Sequence, residues 1–151
     1  MLINEPSKDE INIMEKRLRY ISGIIKQNGR KILTNYPITP PQFVALQWLL
    51  EEGDLTIGEL SNRISLAFST TTDVVDRMEK TELVKRVRDE KDRRVVRIHL
   101  LEKGKVIIHE VIAKRQAYLG EVLEEFSEAD VTKLNQLLDF LYRQMKMVNE
   151  K

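Results

Sequence analysis

The chain has 151 residues, 42% hydrophobic and 32% charged, with 25 Lys+Arg against 24 Asp+Glu and a formal net charge of +1. That length suits one domain, or one domain with an oligomerisation extension, and the composition is that of a folded chain, which argues against intrinsic disorder. Zero cysteine removes disulfides, thiolate catalysis, Cys-ligated zinc and thiol redox sensing together, and no run of about 18 apolar residues exists to span a membrane.

The N-terminal Met1-Leu2-Ile3-Asn4-Glu5-Pro6 lacks the basic and apolar regions of a secretory leader, so a cytoplasmic protein is expected. Over residues 8–35, Ile11, Met14, Leu18, Ile21, Ile25 and Ile32 recur at three- and four-residue steps, which predicts a helix. Tyr36-Pro37 ends it, because the residue before proline is pushed out of the helical region. Thr39-Pro40-Pro41-Gln42 reads as the next helix start, with Thr39 as N-cap, proline at the first helical position and Gln42 reaching back. Phe43, Leu46, Leu49 and Leu50 supply its buried stripe, with Trp48 on the flank. Thr56-Ile57-Gly58-Glu59 is a second capping box, opening a short helix to about Ile64. Ser65-Leu66-Ala67 connects it tightly to a helix over roughly 68–81 that buries Thr71, Val74, Val75 and Met78. Two short helices so joined have the outline of a helix-turn-helix.

Leu83 to Val87 and Val95 to Leu100 are β-prone runs flanking the charged turn Arg88-Asp89-Glu90-Lys91-Asp92-Arg93-Arg94. A hairpin directly after a helix-turn-helix is a wing. Residues 85–97 hold seven bases and three acids, an excess of four positive charges that the net charge hides. Placed beside a recognition helix, those bases suit a phosphate backbone. The plainer alternative is a charged tip that only keeps an edge strand soluble. From Glu102 the chain returns to helix for about 25 residues, roughly 37 Å at 1.5 Å each. Ser127-Glu128-Ala129-Asp130 caps the last helix, whose Val131, Leu134, Leu137, Leu138, Leu141, Met145 and Val148 form a continuous apolar stripe. The first, fifth and sixth helices offer more apolar face than a small winged domain covers. A second copy of the chain is the economical partner, with packing inside one chain as the alternative. The expected fold is mainly α with a small β-hairpin wing: a winged helix-turn-helix domain over 39–100, plus N- and C-terminal dimerisation helices over 8–35 and 102–148.

Several segments together resemble the MarR family of bacterial winged-helix transcription regulators. They are Thr39-Pro40-Pro41-Gln42-Phe43, Leu55-Thr56-Ile57-Gly58-Glu59-Leu60, Ser69-Thr70-Thr71-Thr72 through Val75-Asp76-Arg77-Met78-Glu79-Lys80, the wing segment Asp89-Glu90-Lys91-Asp92-Arg93-Arg94, and Leu100-Leu101-Glu102-Lys103-Gly104. The resemblance runs from about residue 8 to 148. It implies a homodimeric repressor with two winged lobes on palindromic double-stranded DNA. Carried over by position, Ser69, Thr70, Thr72, Asp73 and Arg77 face the major groove. Of the wing residues Arg88, Lys91, Asp92, Arg93 and Arg94, the last enters the minor groove while Asp92 holds the wing. An arginine there reads the negative potential of a narrow groove without a base code.

Departures from the family pattern are specific. Lys91 stands where many members have arginine, which keeps charge but loses bidentate geometry. Glu82 occupies a usual glycine position, so the recognition helix is expected to lack a left-handed cap. Leu101 replaces a frequent threonine and removes an N-cap. Asp73 puts an acid on the DNA face, where it repels phosphate but suits a cytosine amine.

With no cysteine, the family's thiol sensing is excluded. His109 has no histidine partner four residues away, so a helical metal site is not expected, nor is any cofactor. By resemblance, a small aromatic effector that binds the crevice between dimer helices and winged lobe remains, with Tyr20, Tyr36, Phe43, Trp48 and Tyr118 as candidate linings. Aromatic residues at helical spacing are more often core. An enzyme is not expected: no nucleophile–base pair, phosphate loop or paired-carboxylate motif appears, and Glu124 and Glu125 point to different sides of a helix. The remaining rival is a winged helix used only as a protein-interaction module.

Overall fold

The computed structural model describes residues 5–151; Met1–Asn4, part of the segment read above for a leader, lie outside the described residues. The elements run α1 (Lys8–Leu33), α2 (Pro40–Glu52), β1 (Leu55–Thr56), α3 (Ile57–Ile64), α4 (Phe68–Lys80), β2 (Val84–Arg88), β3 (Val96–Leu100), α5 (Glu102–Val122) and α6 (Glu128–Asn149). The chain divides into two compact units, the first reaching Arg115 and the second running from Gln116 to Lys151. No helix among the described residues is long and apolar enough to cross a membrane.

Reciprocal capping boxes open three helices: Ser7 with Glu10, Thr39 with Gln42, and Thr56 with Glu59. Each hydroxyl satisfies an orphan N–H of the first turn while the partner side chain reaches the cap's own N–H. The core of the first unit gathers Phe43, Leu46 and Leu49 of α2, Leu60 of α3, Val75 and Met78 of α4, and Ile107, Ile108 and Val111 of α5 around the sheet residues Leu55, Val84, Ile98 and Leu100. At the start of α5, Gly104 lets the helix backbone meet the α4–β2 junction. A methyl group placed there would lie 2.5 Å from the Leu83 carbonyl oxygen and 2.8 Å from Leu100 Cδ1. Backbone cannot yield as a flexible side chain does, so Gly104→Ala is expected to destabilise by about 1–3 kcal/mol in denaturant unfolding. An unchanged midpoint would contradict this close approach.

The sheet is antiparallel with order β1-β3-β2, pairing Leu55 with Ile98 and Thr56 with Arg97 on one side, and Val84 with Leu100 and Arg88 with Val96 on the other. The hairpin read from sequence therefore supplies two strands of a three-stranded sheet. Leu55-Thr56 is too short for a period-two pattern, which needs at least four residues to register.

The end of α4 corrects one expectation. Glu82 takes the left-handed conformation itself, φ 64°. Leu83 N–H donates to the Met78 carbonyl at 2.9 Å, and Glu82 N–H donates to the Glu79 carbonyl at 3.1 Å. These two bonds make the Schellman closure, with Leu83 and Met78 both in the buried core. The closure holds a non-glycine residue in a conformation that costs it about 1 kcal/mol. Lys103 Nζ adds a bond to the Thr81 carbonyl at 2.9 Å, a cation at the negative end of the helix. α5 spans 21 residues, fewer than the roughly 25 expected, and α1 ends at Leu33, two residues before the position read from sequence.

Apolar side chains stay uncovered on α1 and α6, and α5 leaves Val106, Leu119 and Val122 about half exposed. On α1, Ile11, Met14, Leu18, Ile21 and Ile25 are all more than 40% exposed. Among the described residues of α6 none is buried, and Leu137, Leu138, Phe140, Met145 and Val148 are more than half exposed.

Candidate nucleic-acid interface

Helix α4 begins at Phe68 after an extended Ala67, and among the described residues no side chain caps its first turn. Its leading N–H groups are left free to meet an anion. Thr71, Val75 and Met78 seat the helix in the core, and the Thr71 hydroxyl donates to the Ala67 carbonyl at 2.9 Å. At about 3.6 residues per turn, the intervening positions face outward. Ser69, Thr70, Asp73 and Arg77 are exposed. Thr72 differs: it is half-buried, and its hydroxyl donates to the Phe68 carbonyl at 3.0 Å.

The loop between β2 and β3 is organised by two aspartates. Asp89 accepts from the Arg97 guanidinium at 2.8 Å and from the Lys91 N–H at 3.0 Å. Asp92 accepts from both the backbone N–H and Nε of Arg94 at 3.1 Å. Arg88 donates to the Arg93 carbonyl at 2.8 Å. Lys91, Arg93 and Arg94 point into solvent, the Arg94 side chain 91% exposed, while Asp92 is half-buried. Asp89, which the sequence reading left without a role, needs the hairpin register before its pairing with Arg97 becomes visible.

These pairs set the titration of the wing. The Arg97 guanidinium, followed by the Lys91 N–H, holds the Asp89 carboxyl below its ordinary value. The Arg94 side chain, followed by its own N–H, does the same for Asp92. A lowered native value means the ordering is complete above the ordinary aspartate range and is lost as pH falls through the lowered values. Carboxyl-carbon NMR is expected to give both groups midpoints below those of the unfolded chain, and Arg97→Ala is expected to raise that of Asp89. An unmoved Asp89 midpoint would remove the pairing as cause.

Sequence reasoning also missed how helix and wing are joined. Arg86 of β2 is half-buried and binds Asp76 Oδ1 and Glu79 Oε1 of α4, both at 2.7 Å, while its backbone N–H donates to Glu79 Oε2 at 3.0 Å. The i, i+3 spacing of the two acids is legible on a helix, but their partner lies on another element.

The candidate effector residues are spread out. Phe43 is buried in the core with the Arg115 guanidinium 5.4 Å from its ring centroid. Tyr36 and Trp48 are half-buried against that core. Partial burial, then the nearby Glu110 carboxylate, pushes the Tyr36 phenol above its ordinary value. Tyr20 is exposed on α1 beside Lys16 and Arg19, and Tyr118 is a half-buried residue of the second unit.

A helix-turn-helix whose second helix runs into a basic, three-stranded wing defines a winged helix-turn-helix DNA-binding regulator. Residues 38–96 match the MarR family model, and the HTH-type transcriptional regulator YsmB of Bacillus subtilis is 59% identical over 88% of this chain and 91% of its own. The chain belongs to the MarR family of helix-turn-helix transcriptional regulators. A MarR family protein from Bacillus stearothermophilus, 60% identical, has the same fold with a TM-score of 0.90 over 94% of this chain and 99% of its own. Streptococcus pneumoniae FabT, solved in complex with DNA, shares the fold at 21% identity, with a TM-score of 0.75 over 92% of this chain and 99% of its own.

Proposed function

We propose that this regulator acts in the cytoplasm as a homodimeric repressor, binding a palindromic operator in double-stranded DNA and leaving it when a small aromatic effector binds. The observation that carries the reading is the 91% exposed Arg94 on a basic wing beside the uncapped start of α4. Ser69, Thr70, Asp73 and Arg77 meet the major groove, with Thr72 contributing its methyl group more than its committed hydroxyl. Arg94 enters the minor groove, while Arg88, Lys91 and Arg93 neutralise phosphates and Asp92 orients Arg94. FabT, solved in complex with DNA on the same fold, supports DNA as the partner.

Residues 39–100 form the reading domain, and 8–35 with 102–148 form the dimerisation region. The uncovered faces of α1 and α6 support a second copy as partner, because apolar faces of that extent are not left to water. For the effector, the half-buried Tyr36 ring beside the Glu110 carboxylate of α5 supports a small aromatic ligand. Such a ligand acts by its differential affinity for lobe spacings unlike the DNA-bound one.

Fluorescence anisotropy with the duplex upstream of the protein's own gene, against scrambled DNA across a salt series, tests the reading. Selective binding that weakens steeply with salt is expected. Absence of binding to either duplex at low salt would favour a protein-interaction module instead.

A further inference from the structure

Among the described residues between 39 and 100, the exposed large hydrophobics are Phe68 and Val87. Val87 sits on a strand, where a branched side chain suits the pleat. Phe68 has no such reason. It is the first residue of α4, where an aromatic ring has no helical advantage, and it is 62% exposed. Ser69 and Thr70 follow it on the same outward turn. The ring also lines an open cleft of about 350 Å³ with Thr56, Ile57, Gly58, Arg94, Val95 and Val96. Among the described residues lining it, the charged one is Arg94. An uncharged aromatic surface is thus held between the start of the recognition helix and the wing arginine, the two elements that the proposed function puts against the duplex.

The leading residues of a recognition helix meet base edges in the major groove. There, the C5-methyl group of thymine is the one apolar feature any base presents, and phenylalanine is among the side chains that contact it. Resting on the DNA-binding reading above, we propose that Phe68 is a specificity-determining residue that recognises a thymine through its 5-methyl group.

The test begins with the full-length dimer and a duplex enriched from random DNA. Each thymine of one half-site is then replaced by deoxyuridine, which deletes the methyl and keeps every hydrogen-bonding group. For the unsubstituted protein, one position is expected to weaken binding about fourfold, the worth of one buried methyl. Phe68→Ala is expected to bind the parent duplex more weakly and to show no further loss at that position, whereas Phe68→Leu restores part of the sensitivity. Thermal unfolding of both variants is expected to stay unchanged, because the ring buries little. Equal deoxyuridine sensitivity at every position in the native protein and in Phe68→Ala would overturn the proposal, leaving the ring against sugar or solvent. A uniform loss in Phe68→Ala on all duplexes would overturn it likewise. Enrichment of no duplex at all would instead remove the operator reading, and this proposal with it.

Discussion

Arg94→Ala is expected to weaken operator binding by roughly 100-fold, at about 1–2 kcal/mol for each of two half-sites and tenfold for each 1.4 kcal/mol. Thermal stability stays within about 0.5 kcal/mol of the parent, as for surface substitutions generally. The side chain is 91% exposed and its one partner is Asp92, so its removal takes nothing from the core. Two further readouts separate groove entry from general charge. The slope of log affinity against log salt is expected to fall by about two if both copies release counterions. Part of the loss is expected to come from Asp92, which without its partner would present an unpaired carboxylate to the duplex. Combining Asp92→Asn with Arg94→Ala is therefore expected to recover a measurable fraction. An unchanged affinity, or an unfolded Arg94→Ala protein, would refute the role given to this residue.

Charging the α1 face is expected to act as strongly by a different route. Leu18 and Ile21 are 41% and 51% exposed in the single chain, so Leu18→Glu with Ile21→Glu leaves the core of the first unit as it was. In a dimer packed through that face, two carboxylates per chain would lose their hydration, and association fails. Sedimentation is expected to show the mass of one chain, with operator affinity lower by about 100-fold or more once the two half-sites are no longer linked. A dimer that survives the double substitution would move the interface away from α1 and leave the α6 face to explain.

What the sequence disclosed and what it withheld follow the range of the interactions involved and the backbone they require. Thr39 with Gln42 and Thr56 with Glu59 lie three residues apart, so two helix starts were legible from local chemistry. The outward face of α4 followed from where Thr71, Val75 and Met78 had to point. Wing and recognition helix were recognised as DNA-binding elements through their order and charge, which the family membership supports; the individual contacts assigned to Ser69 or Arg94 rest on proposal and test. Of the hidden features, β1 needed a long-range partner, while the Glu82 turn and the Thr72 bond are local and needed the folded backbone itself. β1 has two residues and exists only because β3 offers it an edge. Glu82 has no left-handed preference of its own, and the bonds from Leu83 and Glu82 back to α4 impose the conformation. Thr72 looked like its neighbours in sequence, and only its burial and bond to Phe68 set it apart.

The Arg86 clamp changes what regulation of this protein has to move. With its guanidinium on Asp76 and Glu79 at 2.7 Å and its main chain on Glu79 as well, the strand leading into the wing cannot swing independently of α4. Helix and wing are thereby joined into one reading head, expected to move as a unit. On the proposed dimer, the remaining free coordinate is the distance between two such heads. On that proposal, a signal setting this distance would turn binding on or off for the whole operator at once, without altering which bases either head prefers.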